Sequence, residues 1–177
     1  MNTRTISGYA STSLADALRP IVFQYIKANP QAFEPNQYGR RFMRHVPIDR
    51  VPVVSAFAQF GIRTIFEEPM FGNFIGNNYA DGAFVHPHKD FAPEGFHHVR
   101  CNLALEMPTD GGNPLLDGKE IEVKRGDMWI CFASIEEHST TPVIGGERLV
   151  LSMGALVEEG TANKLHETIN SVRPVAP

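Results

Sequence analysis

The segment Val85-His86-Pro87-His88-Lys89-Asp90 sets an imidazole and a carboxylate two positions apart. On an extended chain residues i and i+2 project from one face, so His88 and Asp90 offer adjacent donors to a single divalent metal ion. A third donor must come from elsewhere in the fold. The best candidate is His138, in Ile135-Glu136-Glu137-His138-Ser139-Thr140. Two imidazoles and one carboxylate on one face of an octahedron leave the opposite face open to exchangeable ligands. His86 lies on the same face as His88 and Asp90. It is a rival ligand, a neighbour that supports the ligands, a pocket residue that touches substrate, or a polar side chain at a strand end.

That donor set is the one used by non-haem Fe(II) oxygenases. Ten residues beyond His138 comes Arg148, at the start of the apolar run Arg148-Leu149-Val150-Leu151-Ser152. By the strand period of two, Arg148, Val150 and Ser152 share a face. A guanidinium inside such a strand is costly unless it meets an anion. Glu158 is the first acidic residue on that face, so a ligand carboxylate gripped bidentately is the anion this reading supplies. Ser152 has the right side to add a hydrogen bond.

His88-x-Asp90, the distal His138 and the Arg148 that follows it resemble the Fe(II)/2-oxoglutarate-dependent dioxygenase superfamily. Flanking segments agree. Lys124-Arg125-Gly126-Asp127-Met128-Trp129-Ile130-Cys131-Phe132 is similar to the family's Gly-Asp turn leading into an apolar strand, and Gly145-Gly146-Glu147-Arg148 to its Gly-x-Arg ending. His98-Val99-Arg100-Cys101-Asn102-Leu103-Ala104-Leu105 resembles the aspartyl/asparaginyl-hydroxylase branch, whereas the carboxylate ligand is that of prolyl-hydroxylase-type members. The likeness covers roughly residues 70–157.

The resemblance implies a mainly β fold, a double-stranded β-helix (jelly roll, cupin-like). It implies Fe(II) on His88, Asp90 and His138, with 2-oxoglutarate and O2 as co-substrates and ascorbate as a supporting reductant. The far carboxylate of 2-oxoglutarate would rest on Arg148, with Arg100, Asn102 and Ser152 helping to orient it. Some members carry a serine two residues after the arginine. Here that position is Val150, and Ser152 comes two residues later. Asn73, Asn77, Asn78 and Tyr79, ahead of the His-x-Asp segment, fall where the family often places oxoacid or substrate contacts, with Asn77 and Tyr79 the substrate candidates, although Asn77 and Asn78 also suit a turn. Halogenases of the superfamily have a small residue in place of Asp90, which argues against halogenation. The implied reaction is hydroxylation of an unactivated C–H bond. The short chain suits a small molecule, an amino acid or an amino-acid-derived biosynthetic intermediate. The alternatives are a peptide or protein side chain, and a cupin-like metal-binding isomerase or sensor that uses no oxoacid.

The elements that must position these residues follow from pattern. Leu14, Leu18, Ile21, Val22, Tyr25 and Ile26 form an apolar stripe at helical spacing, which predicts a helix over 13–28 with Pro20 as a kink or a later start. A second helix is expected over 50–60, with Pro52 in its first turn and Gly61 past its end. Beyond residue 63, β-prone runs alternate with turn residues: 64–67, 70–77, 84–88, 97–107, 120–124, 128–133, 139–143 and 148–157. Asp117-Gly118 signals a two-residue hairpin. A weak helix is expected near 161–171, then a frayed tail. The expected layout is one domain, with a helical cover over 1–62, a catalytic jelly roll over 63–157 and a tail over 158–177.

The chain has 177 residues, 42% of them hydrophobic and 20% charged, with a formal net charge of −4. That is long enough to bury a core without disulfide or metal staples. The acidic balance argues against a nucleic-acid partner, and no apolar run is long enough to span a bilayer. The N-terminus has no apolar run typical of a secretory signal. Cys101 and Cys131 sit in apolar strand-like runs as small buried thiols. A cytoplasmic location is the expectation, with oligomeric state left open. Trp129 reads as core ahead of substrate platform, and His97 and His98 point opposite ways from one strand. His45 and His166 carry no expected role.

Overall fold

The computed structural model describes residues 5–6, 9–28, 40–44, 48–49, 52, 55 and 74–171. The expected helix over 50–60 lies outside the described residues, apart from helical positions 52 and 55, and so do the strand over 64–67 and His45. The described strands are β1 (Thr5–Ile6), β2 (Arg40–Arg44), β3 (Phe74–Tyr79), β4 (Phe96–Glu106), β5 (Asp110–Gly111), β6 (Pro114–Leu116), β7 (Lys119–Glu120), β8 (Met128–Cys131), β9 (His138–Thr140), β10 (Val143–Ile144) and β11 (Arg148–Glu158). Two helices flank them, α1 (Tyr9–Ala28) and α2 (Glu159–Ser171).

The larger sheet runs β1-β8-β4-β11-β3-β2, antiparallel throughout. The shorter strands pair as β7-β6-β9 and β10-β5. This is a jelly-roll architecture, a mainly β fold of two facing layers.

The two long central strands are buried on both faces, which explains why they read as near-continuous apolar runs. One face carries Val99, Cys101, Leu103 and Leu105 of β4, Met128 and Ile130 of β8, and Leu149, Leu151 and Met153 of β11. It packs against Ala15, Leu18, Val22 and Ile26 of α1 and Ala162 and Ile169 of α2. The other face carries Ala104, Trp129, Cys131 and Val150, which meet Leu116, Ile121 and Val123 of the opposing layer. Each fully buried side chain of this size contributes about 1.5–3 kcal/mol.

Helix α1 runs unbroken through Pro20, which is exposed. The carbonyl that proline leaves without an N–H lies one turn earlier, at Asp16, on the exposed side of the helix. The Asp117-Gly118 hairpin forms as its sequence dictates. Both residues have positive φ, 48° and 74°, and Leu116 pairs with Lys119.

Three expected strands take a different form, the run over 139–143 dividing at Thr141-Pro142 into β9, which pairs with β6, and β10, which pairs with β5. Residues 84–88 form no regular strand. Pro87 lacks the N–H that a ladder needs, so 83–88 follows the opposing chain through scattered bonds: Val143 N to Ala83 O (2.9 Å), Thr140 N to Val85 O (3.2 Å), and a bridge between His88 and His138. The run expected over 120–124 ends as a strand at Glu120, because Val123 N and Lys124 N donate to the side chains of Asn113 and Asp127 instead. No helix among the described residues is long and apolar enough to cross a membrane.

Candidate metal centre and oxoacid pocket

His88 and His138 face each other across a two-way backbone bridge. His88 N donates to His138 O at 3.1 Å and His138 N to His88 O at 2.9 Å. Their ring centroids are 4.2 Å apart. In each ring Nδ1 is turned to a backbone carbonyl two residues back, His86 O at 2.7 Å and Glu136 O at 3.4 Å. A proton on Nδ1 then leaves Nε2 as the donor atom, which fixes the ligating edge of both imidazoles.

Asp90 enters from the same segment, its N–H donating to Ala133 O at 2.7 Å. Its Oδ1 lies 3.7 Å from His88 Nε2 and 4.0 Å from His138 Nε2. One donor atom from each of the three residues lies within 4.8 Å of the others. That is close to twice the ~2.0–2.2 Å of a metal–ligand bond, so one ion among them reaches all three.

The protonation states suit ligation. Burial, and then the charge of His88, push His138 down to about 4 against the opposing pull of Asp90, so its imidazole is neutral at ordinary pH. For Asp90, burial works to raise the pKa. The His98 hydrogen bond and the charges of Arg100, His98 and His138 together outweigh it and hold the carboxyl well below its usual range.

The centre opens into a pocket with a volume of about 70 Å³. That is several times the ~10–15 Å³ one water needs. Arg148 lies in its wall, only 4% exposed, with its guanidinium carbon 5.0 Å from the Tyr79 ring and 5.7 Å from that of Trp129. The face shared by Arg148, Val150 and Ser152 is the pocket face, as the period of two requires. Asn102 lies opposite Ser152 in the β4–β11 register, and Ser152 Oγ donates to Asn102 Oδ1 at 2.7 Å.

The structure therefore gathers His88, His138, Arg100, Asn102, Arg148, Ser152 and Tyr79 around one pocket, with Asp90 at its metal edge. Arg100 forms an ion pair with Asp90, its Nη2 2.6 Å from Oδ2. His86 is exposed, its ring tilted against that of Phe84 with centroids 4.6 Å apart, and its carbonyl meets His88 Nδ1. Asn77 lies on β3 opposite Val150. Trp129 belongs to both the core and the pocket wall.

One residue, His166, plays a part that the sequence did not show, through Glu136, which reads from sequence as either solvated or supporting His138. His166, expected to have no role, reaches back from α2 to Glu136 Oε1 at 3.0 Å. Glu136 is 1% exposed and its other oxygen accepts Phe132 N at 3.0 Å. The pair ties α2 to the turn that delivers His138. A glutamate two residues before a candidate ligand was the only sequence signal, and nothing local pointed to its partner.

No protein-family model matches the sequence, and no curated protein does. Solved structures do match in fold. A viral collagen prolyl hydroxylase from Paramecium Bursaria Chlorella virus-1, solved as a 2-oxoglutarate complex, superposes with a TM-score of 0.65 at 14% identity, covering 87% of this chain and 95% of that one. A Pseudomonas putida prolyl-4-hydroxylase gives 0.57 at 22% identity, over 82% and 88%. HygX from Streptomyces hygroscopicus, with nickel and 2-oxoglutarate bound, gives 0.57 at 14%, over 85% and 80%. At these identities the likeness establishes the architecture: a jelly roll of the same fold, here carrying a His-Asp-His group.

Proposed function

We propose that this chain is a non-haem Fe(II)- and 2-oxoglutarate-dependent oxygenase. The observation that carries the proposal is the convergence of His88, Asp90 and His138 on one point of a pocket whose wall also holds the buried Arg148. Ferrous iron bound there, with 2-oxoglutarate and O2, supplies the oxidising power to hydroxylate an unactivated C–H bond.

The chain's own residues do the rest. His88, neutral His138 and ionised Asp90 would hold the ion and leave its remaining positions to exchangeable ligands. Arg148 holds the far carboxylate of the oxoacid in a two-pronged grip, oriented by the rings of Tyr79 and Trp129. The Ser152–Asn102 pair lies along the same wall and aligns that carboxylate. Val150, Leu116 and Trp129 exclude water from the oxoacid site.

The substrate is a small molecule, an amino acid or a biosynthetic intermediate derived from one, held near Tyr79 and the mouth of the pocket. A second reading, hydroxylation of a peptide or protein side chain, draws support from the exposed mouth: the His88 side chain is 41% exposed and Phe91, next to Asp90, is 86% exposed. Screening free amino acids and short peptides for oxygen-dependent succinate release separates the two. Turnover with free amino acids supports the first. Turnover confined to peptides supports the second, and no succinate from any partner, with or without iron, contradicts both.

A further inference from the structure

The carboxylate of Asp90 is divided between two tasks. Oδ1 faces the Nε2 atoms of His88 and His138 at 3.7 and 4.0 Å. Oδ2 faces strand β4, 2.6 Å from Arg100 Nη2 and 3.1 Å from His98 Nδ1. His98 and Arg100 are two apart on that strand, so both project to the inner face. The imidazole of His98 is fixed in turn. Its backbone N–H donates to Ser134 Oγ at 2.8 Å, next to Ala133, whose carbonyl takes the Asp90 N–H. Its Nε2 occupies the space over Gly154 on β11, where a Cβ would come within 2.6 Å of it.

We propose that His98 and Arg100 clamp Oδ2 of Asp90 so that the carboxylate ligates through Oδ1 alone, and that Gly154 is the opening in β11 that admits the clamping ring. The inference rests on the metal-centre reading above and deepens it. A carboxylate free to turn can chelate an ion through both oxygens and so fill a second coordination position. Held on one side by a cation and an imidazole, Asp90 keeps the open face free for the oxoacid and O2. Arg100 is then a positioning residue that acts through Asp90, and Arg148 is the oxoacid's anchor. Groups that orient a metal ligand typically change metal affinity 10–100-fold when removed.

The test is a Co(II) titration of the metal-stripped full chain, read by binding and by visible absorption, which reports coordination number. The variants are His98→Ala, His98→Asn and Gly154→Ala. Asparagine keeps a donor near the position of Nδ1, and alanine at 154 acts from another strand without touching Asp90. Metal-free circular dichroism and melting check each fold. The proposal expects Co(II) binding weakened about 10–100-fold with an altered spectrum in His98→Ala and Gly154→Ala, and largely restored in His98→Asn. Should Gly154→Ala fail to fold, the two His98 variants carry the test. Parental affinity and spectrum in His98→Ala would overturn the clamp while leaving the metal centre standing, and so would equal loss in His98→Asn. A parent chain that binds no Co(II) would remove the metal-centre reading and the clamp with it.

Discussion

At the scale of single residues, charge and geometry set what each group does. Lysine in place of Arg148 keeps the charge and loses the fork that grips a carboxylate by two bonds. With one charged hydrogen bond lost, worth about 1.5–3 kcal/mol, the 2-oxoglutarate concentration for half-saturation rises about 10–100-fold in Arg148→Lys. A titration of succinate release against oxoacid measures it. An unchanged requirement would favour the reading as an isomerase or sensor that uses no oxoacid. His138 gives the metal-stripped protein an acid sensitivity. Its pKa is about 4 in the folded chain against an ordinary 6.5. Between those values the unfolded chain takes up the proton first, so stability rises with pH across the window and falls as the pH drops from 6.5 towards 4, by about 3 kcal/mol for this group. Asp90 adds to the loss below its ordinary 3.8, since its ionised form is favoured in the fold. Urea melts in chelator at about pH 7 and about pH 4.5 measure the slope, and His138→Gln should flatten it. The three candidate ligands were legible because such chemistry needs few residue types at recognisable spacing, and the fold brings them together. The partner of Asp90 Oδ2 was not: the sequence pairs His98 and Arg100 two apart, and only the fold brings Asp90 to them.

At the scale of elements, legibility followed how local the cause is. The hairpin at Asp117-Gly118 is set by two residues that tolerate positive φ, and it forms as read. The alternation in β11, regular against β3 although its register with β4 shifts between Leu149 and Val150, puts Arg148, Val150 and Ser152 on one face. The 83–90 segment was harder. Its β-prone residues are offset by Pro87, and its path is set by bonds to 138–143, distant in sequence. The Glu136–His166 tie is wholly tertiary. Glu136→Ala leaves Phe132 N and His166 without a buried acceptor, a loss of about 1–3 kcal/mol for each such group. Denaturant melts should show that loss, and His166→Ala, which spares the Phe132 bond, should cost less. Equal melting of Glu136→Ala and parent would mean the tie does not stabilise the turn.

At the scale of the whole molecule, β4 and β11 separate two jobs. Their outer face is a dry core against α1 and α2, and their inner face is the wall of the pocket. Support from the core behind, and from the smaller apolar cluster around Trp129, Cys131 and Val150 on the inner face, lets buried Arg148, Asn102 and Ser152 hold position. The central claim is that distant parts of this fold bind one ferrous ion jointly with the oxoacid. Anaerobic calorimetric titration of the metal-stripped chain tests it most directly. The expected result is one Fe(II) per chain, 2-oxoglutarate binding that tightens when iron is present, and loss of the iron in Asp90→Ala. Iron binding that survives Asp90→Ala unchanged, or oxoacid binding indifferent to iron, would contradict it.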